Sequence, residues 1–506
     1  MKDHRFLPYE PDKPLLLPSD IRTWLPEDHL ALFVSDVVDN LDLSEITKKY
    51  EHPEGGHPAY HPAMMVKILF YAYCVGYPSS RGIERKTYED VAFRVLSCDA
   101  HPDHSRISDF RKRHLKEIAR LFIQILEFCA AAGLVKVGHV SFDGSKLKAN
   151  ASRHKAMSYG RMVTKETQLQ VEIERLLVEA EVTDAAEDRK YGKGKRGDEL
   201  PEDLRFKKTR LEKIKQYKRE LETRVRQRAI DSGKLDEKGN PTRRGGQSPK
   251  TPPGTPKPKD QINFTDPDSR IMLDGATKAF IQGYNAEIAV DCDTQIILGA
   301  DVTQNTNDKK EFIPLIEQIA ENTGQMPKVA LADSGFFSES NVRYAEDNNI
   351  DPFIPKDRIK HSDVEPLFPD VTLPSDAGVV DRMLEKLKTK EARQIYSKRK
   401  QTVEPVFGQI KAARGIRSFA LRGLEQVKGE WKLICLTHNI LKLWRNLCRS
   451  NRRGAPFFAK KRGYGFQIKQ FIFNFVEFAP FMPQSYAACH FVASLRQCGY
   501  RLTPQR

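Results

Sequence analysis

The sequence of 506 residues predicts an α/β protein: a mixed sheet flanked by helices, which follows an all-helical N-terminal region. Three observations support this fold class. Residues 20–135 place apolar side chains at helical spacing. Residues 284–354 alternate between strand and helix patterns. A long, densely charged stretch with helical periodicity interrupts the sheet after its first strand.

The chain is strongly basic, because 83 Lys and Arg residues outnumber 68 Asp and Glu residues and the formal net charge is +15. This charge predicts a polyanionic partner, and nucleic acid is favoured because no lipid-anchoring signal is visible. Residues 1–20 lack the apolar core of a signal peptide, and no run approaches the roughly 20 apolar residues of a membrane span. Eight cysteines without Cys-x-x-Cys spacing favour reduced thiols, so we expect a cytoplasmic protein.

Residues 1–135 form the predicted N-terminal domain. Pro62 is placed to begin one of its helices and Gly76 to end it. Ser105 is predicted to cap a later helix that ends before Gly133. Between them, shorter helices are predicted over residues 80–89 and 90–96.

Basic side chains cluster near the start of the helix that follows Ser105. With several short helices around them, they favour a helix-turn-helix-like DNA-binding module. The alternative is an ordinary solvated helix face. The basic residues are Arg106, Arg111, Lys112 and Arg113.

The first predicted strand, residues 137–142, leads into an insertion instead of its partner strand. Residues 166–182 and 204–226 repeat apolar side chains at helical spacing, so we predict a helical hairpin over residues 161–230. Residues 231–260 are rich in Pro, Gly, Lys and Arg and are predicted to be a disordered basic linker.

The sheet pattern resumes after this linker. Residues 284–291 and 295–302 alternate around a short turn and predict a β-hairpin. The elements that follow are a helix over 312–321, a strand over 328–332, a helix over 339–348, a strand over 351–354 and a helical region from 392 to about 447.

With the first strand included, this is a ribonuclease-H-like order of elements. The predicted catalytic domain therefore comprises residues 136–160 and 261–450. Residues 451–506 form an aromatic-rich C-terminal tail to which the sequence assigns no role.

Three acidic residues stand out in that order. Asp143 and Asp333 each end an apolar strand, and Glu404 lies among cations at a predicted helix cap or kink before Pro405. Alone, each aspartate is more readily explained as a turn residue, and Glu404 as part of a surface ion-pair cluster. Together they predict a site for two Mg²⁺ ions, with Mn²⁺ as a substitute, because paired metals can clamp both reacting oxygens of a phosphodiester.

Other aspartates compete with Asp333 for the second ligand position. Asp301, which ends a predicted strand, is the first alternative. The remaining candidates are Asp266, Asp268 and Asp308, the last at a predicted helix start.

Short segments around these acids carry a resemblance to a known family. They are Phe-Asp-Gly-Ser-Lys-Leu-Lys-Ala-Asn-Ala-Ser from residue 142, Ala-Asp-Ser-Gly-Phe from residue 332, and residues 396–411. The chain resembles the DDE transposases of bacterial insertion sequences, in the group with a helical N-terminal domain ahead of a ribonuclease-H-like core. The likeness spans roughly residues 20–450.

The family signature reads Tyr, two residues, Arg, three residues, Glu, six residues, Lys. Tyr396, Arg399 and the spacing from Glu404 to Lys411 fit it, but four residues separate Arg399 from Glu404. Either Lys400 takes the arginine's role or the turn carries one extra residue.

The resemblance implies that Asp143, Asp333 and Glu404 form a catalytic, metal-binding triad. It also implies cleavage and strand transfer of double-stranded DNA at terminal inverted repeats, by a homodimer or larger assembly on DNA. The alternatives are a DNA-binding transposase relic without catalysis and a ribonuclease-H-like nuclease without strand transfer. The further DNA contacts expected near the triad are Lys146, Lys148, Tyr396, Arg399, Lys400 and Lys411, with a solvated basic loop as the alternative for the first two.

Overall fold

The computed structural model describes residues 20–50, 59–152, 155–191, 202–242, 251–275, 277–357 and 378–452. Its helices are α1 (Leu30–Asp39), α2 (Ser44–Thr47), α3 (Pro62–Cys74), α4 (Ser80–Glu89), α5 (Val91–Ser97), α6 (His104–Arg113), α7 (Leu115–Ala131), α8 (Tyr159–Tyr191), α9 (Glu202–Asp231), α10 (Phe312–Thr323), α11 (Glu339–Asp347), α12 (Val379–Lys388), α13 (Lys390–Gly408) and α14 (Leu424–Arg452). Its strands are β1 (His139–Lys148), β2 (Ala156–Ser158), β3 (Gln261–Asn263), β4 (Arg270–Leu273), β5 (Phe280–Asp291), β6 (Ile297–Thr303), β7 (Val329–Ala332) and β8 (Asp351–Phe353). The mixed α/β class predicted from the sequence is confirmed.

The N-terminal region is helical, as predicted. Pro62 begins α3, and Gly76 beyond its end adopts a φ of +85°, which only glycine adopts readily. The helix predicted after Ser105 differs from the prediction in two ways. Its cap is Asp103, whose carboxylate accepts the backbone N–H groups of Ser105 and Arg106, and the helix is broken at His114 into α6 and α7.

The main sheet has the strand order β4-β5-β1-β7-β8, and β6 also pairs with β5. Strand β5 is antiparallel to β1, β4 and β6, which confirms the predicted β5–β6 hairpin. Strands β1, β7 and β8 run parallel to one another. Helix α10 packs on β6 and β5, while α13 contacts β1, β5 and β7.

Strand β1 is longer than predicted. The sequence placed its end at Phe142, with a turn beginning at Asp143, but the strand continues to Lys148. The reason is tertiary: β5 pairs with β1 from Val140 to Lys148, so the small and basic residues after Asp143 are held extended by a neighbouring strand. Asp143 therefore lies within a strand.

Helices α8 and α9 pack against each other, as the predicted hairpin requires. They have a small hydrophobic core of their own, formed by Met162, Leu169, Ile214, Leu221 and Ile262. The two-stranded sheet of β2 and β3 lies at the base of this hairpin.

The prediction of a disordered linker is wrong for residues 231–242, where the N–H of Asp236 donates to the carbonyl of Asn240, and for residues 251–260. Pro256 is buried, and the carbonyls of Pro258 and Asp260 accept the N–H groups of Gly160 and Tyr159 at the start of α8. Backbone hydrogen bonds to a neighbouring helix thus order a segment whose composition is typical of disorder. Residues 243–250 of the predicted linker lie outside the described residues.

Helix α14 joins the two halves of the molecule. It packs on α7 and α3 of the N-terminal region and on β6 of the sheet, so one continuous hydrophobic core spans both. The indole of Trp431 is fully buried, and its N–H donates to the backbone carbonyl of Glu287 in β5. Within the described ranges, no helix has the length and apolar character that a membrane crossing requires. The predicted C-terminal tail lies outside them from residue 453 onward.

Candidate active site

Asp143 and Asp333 occupy matching positions on neighbouring parallel strands. The last pair of the β1–β7 register is Phe142 with Ala332, and the two aspartates are the next residue on each strand. Adjacent strands lie about 4.8 Å apart, so this register brings the two carboxylates to the same edge of the sheet. Asp333 follows β7 directly, as predicted, and its carboxylate accepts the N–H of Gly335 at 2.8 Å.

Helix α13 supplies a cation to these carboxylates. The Nη1 atom of Arg399 lies 3.5 Å from Oδ2 of Asp143, and both side chains are largely buried. The guanidinium also lies over the ring of Tyr396. Burial raises the pKa of Asp143 to about 7, and the negative charge of Asp333 adds to the rise, while Arg399 opposes it. Burial likewise raises the pKa of Asp333.

A buried polar network adjoins the aspartates. The Nζ atom of Lys146 lies 2.7 Å from Oδ1 of Asn285 and 3.2 Å from Oδ1 of Asp308, and the Asn285 amide also donates to Asp308 and to Glu287. Glu287 is fully buried, and one of its carboxylate oxygens has no partner among the described residues. Burial, followed by the charge of Asp308, raises the pKa of Glu287 well above its usual range.

Sequence reasoning missed Asn285 and Glu287, and it treated Asp308 only as a lesser candidate for the second ligand position, at a predicted helix start. Helix α10 begins at Phe312, so Asp308 lies in the preceding loop. A signal was present, since polar residues alternate on one face of β5 while the other face is apolar. That pattern is also typical of a strand with one solvated face, so it does not single out a buried network.

Glu404 lies inside α13 and is exposed. The predicted cap or kink is not found at this position, because Pro405 is accommodated within the helix and the irregular π turn comes later, at Gln409–Ala413. The structure thus brings Asp143, Asp333 and Arg399 together and leaves Glu404 on the solvent side of α13.

The other predicted contacts near the triad divide into two groups. Lys411 donates to the Ser145 hydroxyl and to the Lys146 carbonyl, and burial lowers its pKa. It therefore ties the π turn that follows α13 to β1. In contrast, Lys148 and Lys400 are exposed.

The four basic residues of the N-terminal region also differ from one another. Arg111 is buried, and its guanidinium donates to the Tyr73 hydroxyl, the Pro78 carbonyl and the Ser80 hydroxyl. Its role in this structure is to hold α3, α4 and α6 together. The exposed members of the set are Arg106, Lys112 and Arg113.

The competing aspartates make structural contacts. Asp266 is buried and accepts the Tyr284 hydroxyl at 2.8 Å and the Gly423 N–H at 3.2 Å. Asp268 accepts the N–H of Leu424, and Asp301 pairs with Lys428 at 3.2 Å. Asp308 alone of these alternatives lies close enough to Asp143 and Asp333 to raise the pKa of both.

Divalent metal chemistry can be tested against this donor set. Among the described residues, no three His, Cys, Asp or Glu side chains are gathered tightly enough to form a ready-made metal cluster. Mg²⁺ nevertheless binds through only one or two carboxylates and completes its shell with water and phosphate oxygens. Asp143 and Asp333 supply two carboxylates whose pKa values are raised by burial in the first place and by neighbouring negative charge in the second. The residues present therefore fit a divalent cation.

Comparison with protein families identifies the class. Residues 19–113 match the transposase domain DUF772, and residues 255–440 match the transposase DDE domain. The first match contains the cations of α6, and the second contains Asp333, Arg399 and Glu404. The chain is thus a transposase whose family acts on DNA with divalent metal ions.

More particularly, it belongs to the DDE transposases of the insertion-sequence type. No curated protein and no solved structure gives a significant match to the chain. Asp143 lies outside both matched segments, so its place at the site depends on the β1–β7 register.

Proposed function

We propose that this protein binds the terminal ends of an insertion sequence and catalyses DNA strand cleavage and strand transfer. The observation that carries the proposal is the register of β1 and β7, which sets Asp143 beside Asp333 at one sheet edge. The ribonuclease-H-like character of the domain is part of the proposal, and the strand order β5-β1-β7-β8 supports it. The proposal also includes the division of the chain into an N-terminal DNA-binding domain, a catalytic domain and a helical insertion.

In this proposal Asp143, Asp333 and Glu404 hold two Mg²⁺ ions, or Mn²⁺ in their place. The bound metals supply positive charge to the phosphodiester and lower the pKa of an attacking water. Asp143 and Asp333 are already positioned by their strands. Glu404 is on an exposed helix face, and the proposal requires its side chain to turn toward the aspartates when DNA and metal bind.

The chemistry consists of two displacements at phosphorus. Water first attacks a phosphodiester at the element's end, the bond from phosphorus to the 3′ oxygen breaks, and the products are a 3′-hydroxyl and a 5′-phosphate. The freed 3′-hydroxyl then attacks a target phosphodiester and displaces the target's 3′ oxygen. Each step exchanges one P–O bond for another, so no oxidant or covalent protein intermediate is required. Because two ends must be joined together, we expect a homodimer or larger assembly on DNA.

The protein's cations position the DNA in this proposal. Arg399 contacts Asp143 and the ring of Tyr396, and with Asp143 neutralised its guanidinium would be free to contact a backbone phosphate. Lys146 and Lys411 shape the strand that carries Asp143. The exposed cations proposed to contact duplex phosphates are Lys148, Lys400, Arg106, Lys112 and Arg113.

The test is a strand-transfer assay with the element's own ends and Mg²⁺ or Mn²⁺. Asp143→Asn and Asp333→Asn are expected to retain DNA binding and lose both nicking and joined products. Glu404→Gln is expected to behave in the same way. If Glu404→Gln retains full activity and Asp308→Asn loses it, Asp308 is the third carboxylate. Nicking without joined products indicates a nuclease, and metal-independent binding without nicking indicates a relic.

A further inference from the structure

A concave site lies at the base of the helical hairpin, and its lining includes neither Asp143 nor Asp333. It is a cavity of about 220 Å³ bounded by β2, the start of α8, the N-terminal half of α9 and Phe264. Four of the side chains that line it are cations. The lining residues used here are Lys155, Arg161, Arg210, Lys213, Met157 and Phe264.

Among the described residues, no acidic side chain forms an ion pair with the cations of this cavity. Some other cations of the hairpin have acidic partners: Lys207 pairs with Glu172 at 3.2 Å, and Lys218 pairs with Glu166 at 2.8 Å. The four lining cations, by contrast, form no ion pair with any described residue, although they lie on three different segments. Like charges around one cavity repel each other and create a positive electrostatic potential that attracts an anion.

The wall of the cavity is held in place by the hairpin's own core. Phe264 packs against Tyr217 with ring centroids 4.7 Å apart, and its N–H donates to the carbonyl of Lys155 at 3.0 Å. Ile214, which follows Lys213 on α9, is fully buried. The backbone positions of the cations are therefore set before any ligand binds, which reduces the ordering cost of binding.

We propose that this cavity is a second DNA-binding site, which takes a phosphodiester group of the DNA backbone. Its volume lies below the roughly 300–1,000 Å³ of cavities that enclose drug-sized ligands, so it fits a phosphate with its adjoining sugar and excludes a duplex. The phosphate lies among the four cations, and the sugar lies on Met157 and Phe264. DNA is the favoured source of the phosphate because the chain is a transposase, and in this respect the inference rests on the proposed function.

The experiment measures binding of a short DNA duplex of arbitrary sequence to the full chain by fluorescence anisotropy, in the presence of a metal chelator. The double variant Arg210→Gln/Lys213→Gln removes two cations from one wall. The matched control, Arg205→Gln/Arg219→Gln, removes the same charge from α9. Arg219 is nine residues beyond Arg210, which places it on the opposite side of the helix at 100° per residue.

The cavity variant is expected to bind about tenfold more weakly than the control variant, because hydrogen bonds to charged groups are lost. The slope of log affinity against log salt is expected to fall by roughly one, the loss of one phosphate contact. Lys155→Gln/Arg161→Gln, on the other wall, is expected to reproduce both changes. All four side chains are exposed, so the thermal midpoints of the variants are expected to match that of the wild type.

Equal affinities and equal salt slopes for the cavity and control variants overturn the proposal. So does a defect confined to duplex RNA of the same sequence. Because no metal is present, failure of catalysis does not affect this test. A wild-type chain that does not bind DNA at all overturns the proposed function as well, whereas DNA binding that is indifferent to the cavity variants overturns only this inference.

Discussion

Arg399 Nη1 lies 3.5 Å from Asp143 Oδ2, and this contact joins helix α13 to strand β1 at the candidate active site. Both side chains are largely buried, so the guanidinium acts as the counter-charge of a carboxylate that also lies near Asp333. A metal ion at the aspartates would take over that role. The contact therefore links the protonation of Asp143, the binding of metal and the position of Arg399.

Replacing Arg399 with Gln is expected to have opposite effects on metal affinity at two pH values. The arginine lowers the pKa of Asp143, so its loss raises that pKa above about 7 and leaves more of the carboxyl protonated near neutrality. At about pH 7, Mn²⁺ affinity is expected to fall, by up to roughly tenfold for a rise of one pKa unit. At about pH 9 both proteins are ionised, and the variant is expected to bind more tightly because a competing cation is gone.

Calorimetric titration with Mn²⁺ at the two pH values checks this expectation. Lys400→Gln, which removes an exposed neighbouring cation of α13, is the matched control and is expected to change affinity little at either pH. A change in the same direction at both pH values would rule out protonation of Asp143 as the link.

The Asp143 carboxyl is expected to make stability depend on pH in the metal-free protein. Its folded-state pKa of about 7 lies above the ~3.9 of an unfolded aspartate, so between about pH 4 and 7 the folded protein holds a proton that the unfolded chain releases. The free energy of unfolding therefore falls as pH rises through this window, by at most about 1.4 kcal/mol per pH unit, and levels off above it.

Urea unfolding of wild type and Asp143→Asn across this window tests the effect. The asparagine variant lacks this titration, so its free energy of unfolding is expected to increase relative to that of the wild type as the pH rises. The free energies of unfolding of the two proteins are compared as a difference at each pH, because the titrations of Asp333 and Glu287 contribute to the pH dependence of both. Two parallel pH profiles would contradict the expectation.

Gly144 is expected to tolerate no side chain. A Cβ atom there would lie 2.5 and 2.6 Å from the two carboxylate oxygens of Glu287, which is fully buried and held by Asn285. Gly144→Ala is expected to lower the free energy of unfolding by about 1–3 kcal/mol, because overpacking forces the buried network to shift. Chemical denaturation measures this loss.

Gly138→Ala provides the comparison, since a Cβ atom at Gly138 has no neighbour within 4 Å. This variant is expected to be neutral or slightly stabilising, because it restricts the unfolded chain. If the two alanine variants have equal stability, the carboxyl of Glu287 moves aside without cost and the tight packing is not a constraint.

Asp103 is expected to matter more than Ser105 at the start of α6. Its Oδ1 atom accepts the N–H groups of Ser105 and Arg106 at 2.9 and 3.1 Å. Asp103→Ala is expected to lower the stability of the protein through loss of the cap, as measured by thermal or urea unfolding. Ser105→Ala is expected to have a smaller effect. The opposite ranking would restore Ser105 as the cap.

Much of the secondary structure was predictable because it depends on local patterns. The bounds of α4, the β5–β6 hairpin and the strand before Asp333 follow from side-chain periodicity and turn residues within each segment. The errors have long-range causes. Strand β1 extends past Asp143 because β5 pairs with it. Residues 251–260 are ordered because backbone N–H groups at the start of α8 donate hydrogen bonds to their carbonyls. No local pattern contains those partners.

The family, the basic character of the chain and the candidate aspartates Asp143 and Asp333 can be predicted from the sequence, because motifs and charge are properties of the order of residues. The groups that surround those carboxylates depend on how distant segments pack. Lys146 and Asn285 meet Asp308 across strands and a loop, and Glu404 faces solvent. These contacts depend on strand register and on helix packing between segments far apart in the chain. Register and packing also set the burial that raises the pKa of Asp143.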